Sequence, residues 1–207
     1  MYRLLIYSVL ATLGASLLVM SGCTTTPPTR FYVLPALSSA DTTSGVSTAK
    51  RDLTIGVGPV TLPAYLDRPQ IVTRMSRAKL ALADFDQWAA SLQDSLPRVL
   101  AENLSLLIPT DRVTLFPWSR SLAIDYQVTV DVIRFDGGVG NEVVLAARWA
   151  IADADGKEII MRQSRFQSPA APQDHEATAM AMGRTLEALS REITATLLIL
   201  AQQAGTR

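Results

Sequence analysis

The chain has 207 residues, nineteen basic and nineteen acidic, so it carries no net charge at pH 7 and no global positive field to gather nucleic acid. Its single cysteine, Cys23, excludes an internal disulfide. The fold must therefore rest on an apolar core, and 48 % hydrophobic residues are enough for one ordinary domain.

Residues 1–22 read as an export signal. Arg3 supplies one positive charge, residues 4–20 carry none, and the small residues Ser21 and Gly22 precede Cys23. As a transmembrane helix, residues 4–20 would be at the short limit for crossing a bilayer, and such a helix has no need of Ser-Gly-Cys at its end. Met20-Ser21-Gly22-Cys23 resembles the bacterial lipobox, with Met20 where Leu is commonest. That resemblance implies cleavage between Gly22 and Cys23, loss of residues 1–22, and a diacylglycerol on the Cys23 sulfur. One acyl chain holds a protein to a bilayer only marginally, at about 0.8 kcal/mol per buried methylene, whereas two or more hold it firmly. Thr24 stands where an Asp would retain such a lipoprotein in the inner membrane, so the expected site is the periplasmic face of the outer membrane.

Residues 24–29, TTTPPT, form a polar tether, and FYVLP at 31–35 reads as a short strand closed by Pro35. A loose segment at 38–51 follows, and the folded body is expected from Leu53 onward. This gives a removed signal at 1–22, a lipidated stretch with the first strand and a flexible tether at 23–52, and a single domain at 53–207. LTIGVGPVTLP at 53–63 predicts a strand, placed at a sheet edge by its prolines. Residues 71–75 and 80–85 predict a hairpin turning at 77–79. Leu92, Leu96, Val99, Leu100, Leu104 and Leu107 form a helical stripe, with Pro97 expected to kink the helix or divide it.

A short strand is expected at 113–118. Residues 124–137 alternate, with Tyr126, Val128, Val130 and Val132 on one face. A return strand is expected at 141–153, then a DADGK turn with Gly156, then a third strand at 157–168. Asp174 is the expected N-cap of a last helix striped by Met182, Leu186, Leu189, Ile193, Leu197 and Leu200. These elements assemble as an α+β fold of two layers: a mostly antiparallel sheet with two long amphipathic helices on one face.

Catalytic chemistry is nearly absent from the pattern. His175 is the only histidine and sits at a helix start beside Asp174 and Glu176, where a solvated role is expected. GVGP at 56–59 lacks the spacing and the Lys-Ser/Thr of a phosphate loop and reads as a turn. Asp84 and Asp86 flank Phe85 and read as a turn and a helix cap. No metal site, no cofactor beyond the lipid on Cys23, and no enzymatic activity are expected.

The stretch at 58–74 contains Pro63, Tyr65, Leu66, Asp67, Arg68, Pro69, Gln70, Ile71, Val72 and Arg74. This run resembles the PqiC-type family of ABC-transport auxiliary lipoproteins. Further matches are FYVL at 31–34, a helix start around Trp88, Leu92 and Pro97, and Phe116-Pro117-Trp118. The resemblance implies a periplasmic lipoprotein that partners an MCE-type tunnel protein and its inner-membrane transporter, docks that conduit to the outer membrane, and supports envelope integrity. Partner assemblies of this kind are rings, which leaves a homo-oligomeric ring open for this chain.

Within the run, Pro63 to Gln70 suits a docking loop: the prolines stiffen it, and Tyr65 and Arg68 are types enriched at interface hot spots. Alternatively Tyr65 and Leu66 cap the core and Asp67 and Arg68 form an exposed turn. A carrier that itself holds an acyl chain is the second functional reading, with Trp88, Trp118, Met180 and Met182 as candidate groove residues.

Overall fold

The computed structural model describes residues 2, 26–38, 53–108, 110–138, 142–171 and 174–204. The expected export signal apart from Tyr2, the expected cleavage site at Gly22, the expected lipid site Cys23 and nearly all of the loose segment at 38–51 lie outside the described residues.

In chain order the elements are β1 (Arg30–Tyr32), β2 (Ile55–Thr61), β3 (Gln70–Arg74), β4 (Leu80–Trp88), α1 (Leu92–Leu107), β5 (Val113–Leu115), β6 (Tyr126–Gly138), β7 (Glu142–Asp153), β8 (Glu158–Pro169) and α2 (His175–Ala204). The strands make one open mixed sheet of eight, with two helices, an α+β fold as expected. Four pairings are parallel (β1–β4, β2–β5, β2–β6, β3–β6), but the long β6–β7 and β7–β8 ladders are antiparallel and hold most of the paired residues.

β6 is the spine. One edge pairs with β7 along its whole length. The other edge is shared: β2 runs beside its first half, from Ile55 opposite Tyr126 to Thr61 opposite Asp131, and β3 meets only Gly137 and Gly138. The sheet forks there, β2 leading to β5 and β3 leading to β4 and β1.

The alternation in β6 is as the sequence dictates, with Tyr126, Val128, Val130 and Val132 buried up to a bulge before Arg134. Opposite them Ala147, Trp149 and Ile151 of β7 face the same core. Leu96, Leu100 and Leu104 of α1 and Leu186, Leu189 and Ile193 of α2 join that one cluster, each essentially without solvent contact. Burying a side chain of this size stabilises the fold by about 1.5–3 kcal/mol. Ser91 caps α1, accepting from the Asp94 amide at 3.1 Å, and Asp174 caps α2, accepting from the Ala177 amide at 2.9 Å.

Three local expectations are corrected, and one is narrowed. β2 is internal, between β5 and β6, because Pro59 sits at a register shift between Val57 and Val60 where no ladder donor is needed. Trp88 ends β4 instead of opening a helix, and α1 starts at Leu92. Of the two outcomes expected at Pro97, division is excluded: α1 runs through it as one helix, leaving the Gln93 carbonyl without a helical donor. The aromatic strand at 113–118 stops at Leu115.

Packing against the body also begins ahead of Leu53. β1 pairs with the end of β4, Leu34 enters the core, and Pro35 lies on Gly183 of α2, where a Cβ would stand 2.5 Å from the proline ring. The Leu37 amide then donates to buried Asn103 of α1 at 2.7 Å, and Asn103 donates to Ser190 of α2 at 3.1 Å. Residues 33–37 thus strap the two helices together.

Candidate functional site

The 63–70 connection leaves β2 at the fork of the sheet. Ala64–Leu66 make one 3-10 turn, closed by the Leu66 amide donating to the Pro63 carbonyl at 2.9 Å. At its far end the Pro69 carbonyl accepts from the Trp88 amide at 2.7 Å. Leu66 is 2 % exposed and belongs to the core. Ala64, Asp67 and Pro69 face solvent.

Tyr65 turns inward. Its hydroxyl donates to Asp136 at 2.8 Å, and Asp136 is 1 % exposed. Because Phe135 enters the core, the next side chain of β6 leaves the sheet on the opposite face. There Asp136 also accepts from Arg74 at 2.8 Å and from Arg134 at 2.7 Å. The Arg74 guanidinium lies over the Tyr65 ring, 5.5 Å from its centroid. Burial first, and then the bond to Asp136, push the Tyr65 phenol above its ordinary 10.0. A buried carboxylate with three donors has no free lone pair aimed at solvent, so this cluster fixes a shape.

Of the sequence-read loop residues, Tyr65 and Leu66 therefore cap the core, and Ala64, Asp67 and Pro69 form the outward surface. Arg68 is half-buried, with its Nε enclosed and without an acceptor. Gln70 opens β3 opposite Gln87.

A second carboxylate cluster escaped the sequence reading. Asp86 lies in β4 and is 5 % exposed, so it caps no helix. Arg30 donates to it through two nitrogens at 2.7 and 2.9 Å, and the Tyr32 hydroxyl donates at 2.8 Å. The Arg30 bonds, followed in order by opposing burial and the Tyr32 bond, leave the Asp86 carboxyl below its ordinary 3.8. His175 is not the solvated residue expected: its Nε2 is 3.7 Å from Asp86 and its ring meets Tyr32 edge-on at 6.5 Å. The only sequence signal was that Arg30 and Tyr32 share a strand face; their partner is more than fifty positions away.

GVGP is strand, not turn. A Cβ on Gly56 would stand 2.7 Å from the Trp118 ring, and Gly58 has φ +122 with Phe116 Cβ 2.7 Å from its own added Cβ. The two glycines let the Trp118 ring and the Phe116 Cβ close on β2, and the two rings meet edge to face at 5.5 Å. Trp88 and Met182 are core and Met180 is exposed, so the proposed groove residues are scattered. A different groove, of about 270 Å³, opens between β3, β4 and the start of α2, with Met75, Leu82 and Ala170 in its lining.

Among the described residues, no three His, Cys, Asp or Glu side chains are placed to hold a metal ion, and no helix is long and apolar enough to cross a membrane.

A family model described as an ABC-type transport auxiliary lipoprotein component matches residues 32–194. The intermembrane transport lipoprotein PqiC of Escherichia coli K12 is 29 % identical over 143 residues, covering 69 % of this chain and 72 % of that protein. The same figures hold for PqiC of Shigella flexneri. The crystal structure of protein XCC0632 from Xanthomonas campestris covers 86 % of this chain and all of its own at TM-score 0.69 and 18 % identity. That of an uncharacterized protein covers 83 % of this chain and 99 % of its own at TM-score 0.67 and 19 % identity. The two structures share the fold.

Proposed function

Because the chain belongs to the family of ABC-type transport auxiliary lipoproteins, we propose that it is a lipid-anchored, non-catalytic adaptor of an envelope lipid-transport system. In this reading Cys23 carries the lipid, the anchor holds the domain to the periplasmic face of the outer membrane, and the partner is an MCE-type tunnel protein with its inner-membrane transporter.

One observation carries the adaptor role. The 63–70 loop is pinned from beneath by the Tyr65–Asp136 bond and by Leu66, so Ala64, Asp67 and Pro69 are presented on a backbone already ordered before any partner arrives. A preformed surface loses little conformational entropy on docking, which is what a constitutive connector needs. Both buried carboxylates are occupied by arginine and tyrosine donors, which supports a structural use for them over a catalytic one.

The carrier reading draws less support. The apolar groove of about 270 Å³ falls below the 300–1,000 Å³ of ordinary ligand pockets, and a larger one of about 480 Å³ beside β5 has Asp111, Arg112 and two threonines in its lining, a poor fit to an acyl chain. Native mass spectrometry of the purified protein separates the two, since a carrier retains a lipid and an adaptor does not.

The direct test places a photo-crosslinking residue at Ala64, Asp67 or Pro69 of the full lipoprotein in living cells. Crosslinks to an MCE-type protein are expected at these positions and not at Asp155, in the β7–β8 turn. Recovery of no transporter component from any of them overturns the proposal.

A further inference from the structure

β1 runs parallel to β4, with Arg30 opposite Asp86. The chain before Arg30 therefore enters alongside the first half of β4, from the end where the β3–β4 hairpin turns. Cys23 precedes Arg30 by seven residues, and Lys79 precedes Asp86 by seven. At no more than about 3.3–3.6 Å per residue, each stretch reaches up to ~25 Å. The described chain thus approaches Arg30 from the hairpin-tip end of the sheet, and that reach spans the length from Arg30 to the tip.

The tip is built, not frayed. Met75 and Ser76 amides donate to the Lys79 carbonyl at 2.9 and 3.2 Å, and the Ser76 hydroxyl accepts from the Ala78 and Lys79 amides at 3.3 and 3.1 Å. It holds Arg77, Ala78 and Lys79 in solvent, and neither cation has an ion-pair partner among the described residues. Just behind the cations, Met75 is 47 % and Leu82 43 % exposed, at the rim of the apolar groove that Gly137, Ala170 and Thr178 continue. The one carboxylate in that lining, Glu142, accepts from Gln167 at 3.1 Å.

We infer that this hairpin end is a membrane-contacting face whose partner is an anionic phospholipid surface. The inference rests on the Cys23 anchor proposed above. Free cations outermost with apolar side chains directly behind them match the layering of a bilayer interface, phosphates over acyl chains. The direction of β1 leads the tethered chain in from this end, so the anchor brings that interface within its reach. Arg77 and Lys79 meet the headgroups, and Met75 and Leu82 enter the boundary beneath.

The test uses the full lipoprotein, processed and lipidated, in vesicles of phosphatidylethanolamine with or without phosphatidylglycerol. With Cys23 blocked by lipid, Ala78→Cys offers the one free thiol for an environment-sensitive nitrobenzoxadiazole label, and Asp155→Cys serves as the control at the opposite end. The Ala78 label is expected to shift to the blue and to be quenched by bilayer-borne quenchers. Phosphatidylglycerol strengthens this response, and raising salt from about 0.1 to 1 M weakens it as the Debye length falls from about 10 to about 3 Å. Arg77→Glu with Lys79→Glu should abolish the phosphatidylglycerol dependence, and the Asp155 label should stay in water. Protein that floats with the vesicles while the Ala78 label stays in water overturns this inference and leaves the anchor standing. Protein that fails to float overturns both. A shift that follows protein concentration instead of anionic lipid assigns the face to a second copy of the chain and likewise overturns the inference.

Discussion

The Tyr65 hydroxyl and the Asp136 carboxylate, 71 positions apart, meet at 2.8 Å where β2 and β3 part company along β6. Tyr65→Phe keeps the ring beneath Arg74 and removes only this bond. A hydrogen bond to a charged group contributes about 1.5–3 kcal/mol, and Tyr65 is half-buried, so a loss near the lower figure is expected. For a domain of this size that lowers Tm by roughly 3–6 °C, which thermal unfolding by circular dichroism measures.

Asp136→Ala should cost more. It strands the Arg74 and Arg134 guanidiniums, whose side chains are 22 % and 25 % exposed, beside a buried cavity. About 3 kcal/mol is expected, the low end for breaking a buried pair, because both cations keep some water. Asp131→Ala is the contrast: it loses an exposed 2.7 Å bond from the Thr61 hydroxyl and a 3.7 Å contact with Arg148, both partners about half exposed, and should cost only about 1 kcal/mol. Denaturant midpoints of the two variants compare them directly.

Acid should loosen the β1 edge through Asp86. Its folded carboxyl lies below the ordinary 3.8, chiefly through the Arg30 hydrogen bonds, so the stabilisation is fully present above 3.8 and is lost as pH falls through the folded value. Asp86→Asn is therefore less stable than the parent near neutrality, and the gap narrows as pH drops below 3.8. A gap that stayed constant down the acid limb would show that the ion pair contributes nothing to the linkage.

Gly183→Ala tests the strap. The new methyl would meet the Pro35 ring at 2.5 Å and its carbonyl at 2.9 Å, and neither can retreat without lifting residues 33–37 off α2. The expected result is faster trypsin cleavage after Arg30 with the rest of the domain intact, read by mass spectrometry of the fragments. Gly58→Ala should act by another route, costing about 1–3 kcal/mol because φ +122 suits only glycine.

The parts of the fold that the sequence made legible are those governed by periodicity. β6 alternates through its first half, β7 is an almost unbroken apolar run, Gly156 marks the turn into β8, and the two helical stripes are regular, so each could be read from neighbours a few positions away. What escaped depends on partners far off in the chain. Pro59 looked like an edge residue because only the pairing of β2 with both β5 and β6 reveals the bulge that accommodates it. Asp86 looked like a cap because Arg30 and Tyr32 lie across a parallel pairing. The candidate loop stood out by its resemblance to the family's run, yet its inward and outward residues could be told apart only once Asp136 was placed beneath Tyr65.

Between Asp131 and Gly137, neither β2 nor β3 reaches β6, and the Pro63–Gln70 connection roofs that opening. Such a keystone divides its own side chains by duty. Those wedged inward answer to the arch and tolerate little change, whereas Ala64, Asp67 and Pro69 are free to vary without disturbing it. On the docking role proposed above, rewriting three letters would refit the module to a new partner.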